Sequence, residues 1–143
     1  MTEFTSDVKT IPYDDGDIFR VLSDMNNLEW VKDQLPEDKI SGFTFDRDGF
    51  SFHVEPIGVV TFLIVTREPN KFVKFQSQNL PFEAHCWIQL VQKEEKDTKM
   101  KVTFKADINP FLRSMVSKPI QQAVDKIAET LAALPYSRIG ESR

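Results

Sequence analysis

The stretch NPFLRSMVSKPIQQAVDKIAETLAALP, residues 109–135, has the pattern of one long amphipathic helix. Asn109 is a suitable N-cap, and Pro110 fits the first helical position. Apolar side chains then recur every three to four residues and predict one stripe that must be buried. The stripe consists of Leu112, Val116, Ile120, Val124 (or Ala123), Ile127, Leu131 and Leu134. Phe111 and Met115 are expected to widen it at the N-terminal end.

Pro119 lies near the middle of this helix, where a proline removes one backbone hydrogen bond and costs about 3 kcal/mol. A proline at such a position kinks a helix. One interpretation is that the helix wraps a curved sheet. The other is that the bend lifts the end that carries Phe111 and Met115, and so shapes the mouth of a cavity. Both interpretations place the apolar stripe across a concave sheet.

Before the helix, the hydrophobic pattern has the period of two that is typical of β-strands. Residues 40–108 contain six successive strands with short links, which predicts an antiparallel meander. Arg47-Asp48-Gly49 is a tight hairpin signal between the first two of these strands. Residues 3–11 read as a further strand, and two short helices follow it. We therefore expect an α+β protein with a curved, seven-stranded antiparallel sheet wrapped on the long C-terminal helix.

This order of elements resembles the START-like (SRPBCC) superfamily of helix-grip domains, which includes Bet v 1, the polyketide cyclases, the lipid-transfer START domains and the Aha1-type modules. The segment IFRVLSDMNNLEWV, residues 18–31, is similar to the helical signature of that superfamily. The matching positions are Leu22, Ser23, Asp24, Leu28 and Trp30. Residues 118–134 are similar to its last helix. The resemblance covers the chain from about Phe4 to Tyr136 and implies a cavity for apolar or amphipathic small molecules between sheet and helix.

The length and charge of the chain limit its class. With 143 residues, we expect a single START-like domain, residues 1–136, and a frayed tail at 137–143. The net charge of −4 argues against nucleic acid binding that is independent of sequence, because such binding depends on neutralising phosphates. Lysine and arginine are scattered and form no dense basic run, so any basic patch is small.

Cys86 is the only cysteine, so folding needs no disulfide and no oxidising compartment. The N-terminal residues lack the basic and apolar regions of a signal peptide. The longest apolar stretch, residues 58–65, is far shorter than the roughly 20 residues of a membrane span. We therefore expect a cytoplasmic protein without an integral membrane segment, monomeric or weakly dimeric, and no cofactor.

His53 and His85 are the only histidines. The expected strand order separates them by about 14 Å, or three strand spacings, which is too far for a shared metal ion. No further cluster of ligands accompanies them, so no metal site is predicted. His85 and Cys86 are neighbours on a strand and point to opposite faces, which excludes a cysteine–histidine nucleophile.

The strand from Phe82 to Val91 has two alternating sets of side chains. The even-numbered set is apolar: Phe82, Ala84, Cys86, Ile88 and Leu90. The odd-numbered set is mostly polar or aromatic: Glu83, His85, Trp87, Gln89 and Val91. The hydrophobic pattern favours the even-numbered set facing the helix. If the odd-numbered set faces inward instead, Glu83 and His85 line a wall suited to proton transfer on a carbonyl substrate. A register shift of one residue interchanges the two sets.

The leading hypothesis is a binding module that sequesters or carries a hydrophobic small molecule, such as a lipid or an aromatic or polyketide-like compound. The candidate ligand-binding residues are Trp30, Phe43, Phe52, Phe62, Phe75, Phe104, Phe111 and Met115. One alternative is a cyclase- or lyase-like enzyme that uses His85 with Glu83, or His53 with Glu55. The other is an Aha1-type protein-interaction module. Arg67, at the end of a long apolar strand, either is solvated or anchors a ligand carboxylate.

Overall fold

The computed structural model describes residues 1–30, 40–54, 58–80, 82–136 and 139. Its strands are β1 (Thr2–Thr5), β2 (Lys9–Ile11), β3 (Ile40–Asp46), β4 (Gly49–Val54), β5 (Gly58–Glu68), β6 (Phe72–Ser77), β7 (Ala84–Glu94) and β8 (Asp97–Ala106). Helix α1 (Asp15–Leu22) and a 3₁₀ helix (Met25–Trp30) follow β2, and the long helix α2 (Pro110–Ala132) follows β8. The predicted helix-grip order is confirmed.

The strands form one antiparallel sheet in the order β1-β8-β7-β6-β5-β4-β3, and β2 also pairs with β8. The predicted meander is confirmed, because each strand from β3 to β8 pairs with the next along the chain. Arg47 and Asp48 form the predicted hairpin turn, with Asp46 opposite Gly49. The Asp46 carboxylate holds this turn by accepting from the backbone N–H of Asp48 at 2.8 Å.

The predicted first strand is interrupted. Its two parts, β1 and β2, both pair with β8, but the pairing shifts by one position between them, so residues 6–8 face only two residues of β8. Ser6 holds this bulge. Its N–H donates to the Val102 carbonyl at 2.9 Å, and its hydroxyl accepts from the Val102 N–H at 3.0 Å. The side-chain bond compensates for the backbone pairing that a bulge disrupts.

The core lies between one face of the sheet and α2. On β7, Ala84, Ile88 and Leu90 are buried in the same cluster as Val124 and Ala128 of α2. The prediction that the even-numbered set of β7 faces the helix is therefore confirmed. The opposite face of the sheet, which carries the odd-numbered set, is the outer face.

Helix α2 begins as predicted. The side chain of Asn109 accepts a hydrogen bond from the Leu112 N–H at 3.0 Å, and Pro110 is the first helical residue. Three side chains of the helix are buried: Val124, Ala128 and Leu131. No helix within the described residues is long and apolar enough to cross a membrane.

Three residues of the predicted stripe are not buried. Phe111 is 89% exposed, Met115 is 70% exposed and Ile127 is 42% exposed, so the prediction of a continuous buried stripe is wrong at these positions. An α-helix turns by about 100° per residue. Met115, nine residues before Val124, therefore points to the opposite side of the helix. A row of residues spaced by four also drifts by about 40° per step, which turns Val116 partly away from the sheet.

Arg67 fixes the end of β5 to two other elements. Its Nε donates to the Ser23 carbonyl at the end of α1 at 2.8 Å. Its Nη2 donates to the Arg47 carbonyl at 3.2 Å and to the Asp48 carboxylate at 2.8 Å in the β3–β4 turn. The guanidinium group thus joins three parts of the fold, and the interpretation of Arg67 as a solvated strand end is wrong.

The C-terminal end of the fold packs on its beginning. Gln121 of α2 donates from its Nε2 to the Thr5 carbonyl of β1 at 2.9 Å. Tyr136 is fully buried, its hydroxyl donates to the Leu131 carbonyl at 2.6 Å, and its ring meets Tyr13 edge-on with centroids 5.6 Å apart. Burial raises the pKa of Tyr136. Within the predicted tail, residues 137–143, only Ile139 is described, and its side chain is part of the core.

Candidate functional site

Several apolar residues between the sheet and α2 are only half-buried, although they pack against the core. We call them the inner apolar surface, and they are Phe50, Phe52, Cys86 and Phe104 on the sheet and Leu112, Val116 and Ile120 on α2. None of these side chains carries a charge. Neither the sheet nor the helix covers these side chains completely.

A connected row of phenylalanine rings forms the floor of this surface. The ring of Phe104 lies 6.3 Å from that of Phe4 on one side and 6.3 Å from that of Phe62 on the other, measured between centroids. The row continues from Phe62 to Phe50 at 5.7 Å, and Phe50 contacts Phe75 at 5.9 Å. These spacings are those of favourable aromatic pairs. The phenylalanines therefore both build the core and face the helix.

The burial of α2 changes along its length. Leu112, Val116 and Ile120 are half-buried, whereas Val124 and Ala128 are buried. Pro119 lies at this change, inside the helix as predicted. Helix and sheet thus pack tightly in the C-terminal half of α2 and less tightly in its N-terminal half.

The pKa of the Cys86 thiol indicates how polar its surroundings are. The residue keeps part of its accessible surface, yet burial raises the pKa of its thiol from 9.0 to about 12. Desolvation disfavours the charged thiolate only where the surroundings are apolar. The Cys86 thiol therefore lies among the apolar side chains on the core side of the sheet.

Four of the predicted ligand-binding residues lie on the core side of the sheet: Phe52, Phe62, Phe75 and Phe104. Phe111 and Met115 point to solvent, so the structure does not bring them to the inner apolar surface. The side chains of Trp30 and Phe43 lie outside what the structure describes. Phe50 was missed by the sequence reasoning, although it shares the alternation of Phe52.

The predicted carboxylate–histidine pair forms, but on the outer face. His85 Nε2 lies 2.8 Å from Glu83 Oε1, and both residues belong to the odd-numbered set of β7. His85 Nδ1 is buried and has no hydrogen-bond partner among the described residues. His53 lies on the outer face as well, opposite the exposed Val59, and Glu55 is outside the described residues. No group of three or more metal-ligating side chains occurs in the described part of the chain.

A depression of about 270 Å³ lies at β3, β4 and β5, and Phe45 and Phe50 line it together with residues of the outer face. Its polar lining includes Thr44, Ser51 and Thr61, and the hydroxyls of Ser51 and Thr61 are 2.7 Å apart. Gly49 also lines the depression, and a larger residue does not fit there, because a Cβ would clash with the Phe62 carbonyl and come within 2.6 Å of the Leu63 side chain. Phe50 also belongs to the inner apolar surface, so the depression and that surface share a residue.

No protein-family model matches this chain, and no curated protein matches its sequence. Solved structures do match it. Norcoclaurine synthase from Thalictrum flavum, in complex with dopamine and hydroxybenzaldehyde, has a TM-score of 0.70 at 13% identity over 92% of this chain and 84% of that one. A START superfamily protein from Mycobacterium smegmatis has a TM-score of 0.59 at 12% identity over 99% of each chain.

A solution structure from Thermobifida fusca has a TM-score of 0.67 at 14% identity, over 97% of this chain and 95% of that one. At identities this low, the likeness establishes the fold alone. The coverage is nearly complete in both directions, and the element order, the curved antiparallel sheet and the long C-terminal helix all agree. The chain has the START-like, Bet v 1-type helix-grip fold.

Proposed function

We propose that the protein binds and carries a hydrophobic or amphipathic small molecule on the inner apolar surface, between the sheet and α2. The supporting observation is the change in burial along α2, from half-buried Leu112, Val116 and Ile120 to buried Val124 and Ala128. Complete burial of a Leu- or Phe-sized side chain contributes about 1.5–3 kcal/mol. Covering the remaining surface of several such side chains therefore favours binding of an apolar ligand.

The lining favours a flat aromatic ligand or a single aliphatic chain, as in a lipid or a polyketide-like compound. The inner apolar surface combines three Phe rings with aliphatic side chains and no charge. Norcoclaurine synthase, a protein of the same fold, is described with two small aromatic molecules, dopamine and hydroxybenzaldehyde. Because the Phe62–Phe104 contact occupies the floor, the ligand lies above it, against the N-terminal half of α2.

Native mass spectrometry of the purified protein, followed by solvent extraction, is the direct test. We expect an apolar molecule bound near one-to-one, and its addition to the extracted protein should raise the melting temperature in proportion to the logarithm of its concentration. A protein that carries nothing, and that gains no stability from the aromatic and acyl compounds supplied to it, would contradict the proposal.

A substitution that fills the space provides a sharper test. Val116→Trp should weaken ligand binding at least tenfold and leave the free energy of unfolding nearly unchanged, since the added ring enters unfilled space. Met115→Trp is the matched control, because Met115 is 70% exposed and points away. If Val116→Trp instead destabilises the protein by about 1–3 kcal/mol, as overpacking of a filled core does, the space is closed.

The enzyme alternative with His85 and Glu83 is less well supported, because their hydrogen bond lies on the outer face and not beside the inner apolar surface. His85→Ala should leave binding of the apolar ligand unchanged. No observation favours the Aha1-type alternative. We further infer a cytoplasmic location and a single domain, predicted over residues 1–136, to which the buried Ile139 also belongs. We also infer a monomer or weak homodimer, and sedimentation of the purified protein tests this oligomeric state.

A further inference from the structure

Lysines that are scattered in the sequence come together on the outer face of β6, β7 and β8. The pairing places Lys74, Trp87 and Thr103 in one row across the three strands, with Gln76, His85 and Lys105 in the next. On the other side, Phe72, Gln89 and Lys101 form a third row. We call these nine residues the outer basic patch. They include three lysines and no carboxylate, in a chain whose net charge is −4.

Trp87 is the centre of the patch. The Lys74 Nζ lies 5.1 Å from the centroid of its ring, and the Lys105 Nζ lies 5.5 Å from it. Both distances are within the roughly 6 Å at which a cation is attracted to an aromatic ring. Neither lysine has a carboxylate partner in the part of the chain that the structure describes. Two positive charges are thus held close to one flat ring without an anion.

The charged side chains around the outer basic patch limit where an anion can bind. Glu3 lies beside Lys105 on the neighbouring strand, and the carboxylate of Glu83 is hydrogen-bonded to His85. Negatively charged side chains therefore lie at the edge of the patch. Lys99, further along β8, is already paired with Asp97 at 3.2 Å. The patch itself measures about 10 Å across the strands and about 13 Å along them. That area suits one small ligand and not an extended surface.

We propose that the outer basic patch binds a nucleotide-type ligand, with a flat ring against Trp87 and a phosphate group held by Lys74 and Lys105. Lysine is a common phosphate-binding residue, and its ammonium group moves on a flexible stem. A base stacked on the indole replaces one ammonium group at the ring, and that group then pairs with the phosphate. Base–aromatic stacking accepts any base, because every base has a π-face.

The proposal is tested by titrating the full chain with adenosine monophosphate and monitoring its two indole N–H signals by NMR. The Trp87 signal, assigned by its loss in Trp87→Phe, should shift and saturate, while the Trp30 signal provides an internal reference. Lys74→Gln and Lys105→Gln should each weaken binding about fivefold, as expected for an exposed ion pair. Lys93→Gln is the matched control, because it removes the same charge from an exposed position on β7 outside the patch.

Inorganic phosphate and adenosine, added separately, should both bind more weakly than adenosine monophosphate. The proposal is overturned if Trp87 does not respond, if Lys74→Gln and Lys105→Gln bind as well as Lys93→Gln, or if either fragment binds as tightly as the nucleotide.

A short oligodeoxythymidylate distinguishes the two possible sources of this ligand, a free nucleotide and a single-stranded nucleic acid. Tighter binding of the oligonucleotide than of thymidine monophosphate would identify the ligand as a single-stranded nucleic acid. Equal binding would identify it as a free nucleotide. Because the sheet separates this patch from the inner apolar surface, either site can fail its test independently.

Discussion

Phe62 on β5 and Phe104 on β8 have ring centroids 6.3 Å apart, although two strands lie between them in the sheet. In a flat sheet, three strand spacings would separate their backbones by about 14 Å. The rings can meet only because the sheet curves around them. This one contact therefore reports the curvature on which the space beneath α2 depends.

Phe104→Ala should lower the free energy of unfolding by about 2 kcal/mol, somewhat less than truncation of a completely buried Phe. The reason is the loss of ring contacts with both Phe4 and Phe62. Chemical denaturation measures the change. Phe111→Ala, the same substitution at an 89% exposed position, should stay within about 0.5 kcal/mol of the unmodified protein. Equal effects at the two positions would show that the ring row does not stabilise the fold.

Ser6→Ala should destabilise the protein by about 1–3 kcal/mol, because it leaves the buried Val102 N–H without an acceptor. Hydrogen exchange at the Val102 amide should accelerate at the same time, which separates this effect from a general loss of stability. Ser114→Ala is the control, since that hydroxyl is exposed on α2. Unchanged exchange at Val102 would argue against the role given to Ser6 in the bulge.

Arg67→Lys should cost about 1–2 kcal/mol in stability even though it keeps the charge. A lysine cannot reach the Ser23 and Arg47 carbonyls together with the geometry of a guanidinium group. Asp48→Asn removes only the ion pair with a carboxylate that is 66% exposed, so its cost should be below about 0.5 kcal/mol. Thermal unfolding of the two variants compares these effects, and the reverse order would refute the role of the Arg67 hydrogen bonds in holding β5 to the two other elements.

The thiol of Cys86 should be nearly unreactive toward a disulfide reagent at pH 8 in the native protein, because burial raises its pKa to about 12. In the unfolded chain the thiol ionises near pH 9.0. Between these values the unfolded chain loses a proton that the folded chain keeps. The stability contributed by the neutral thiol is therefore complete below pH 9 and declines as the pH rises toward 12.

Two comparisons check this prediction for Cys86. The thiol should react at the rate of a free cysteine once guanidinium chloride unfolds the protein. The free energy of unfolding of the unmodified protein minus that of Cys86→Ala should be smaller at pH 10.5 than at pH 8. A native thiol that reacts rapidly at pH 8 would mean that the space in front of Cys86 is open to water.

The faces of the strands were predictable because alternation is a local property. Ala84, Ile88 and Leu90 are apolar at every second position, and they are buried as expected. The face of α2 was less predictable. Spacings of three and four residues include Ile127 and Met115 as easily as Ala128, and only the position of the sheet decides between them. Alanine carries little hydrophobic signal, which is why Ala128 was not expected to be buried.

The outer basic patch could not be predicted from the order of residues. Lys74 and Lys105 are far apart in the chain, and their approach to Trp87 depends on the exact pairing of three strands. A shift of one residue in either pairing would point one of them to the core. The bond between His85 and Glu83 was predictable, since residues two apart on a strand share a face, but the identity of that face required the register.

The docking of the C-terminal end on the beginning of the chain affects how the protein is made. Strand β1 pairs with residues 103–106, and Tyr13 packs against Tyr136, so during translation residues 2–13 must wait for partners about 100 residues later. At a synthesis rate of about 5–20 residues per second, the wait is about 5–20 s. During this time Phe4 and Ile11 have no core to enter. The nascent chain on the ribosome therefore carries uncovered apolar side chains, which is the state that chaperones protect from aggregation.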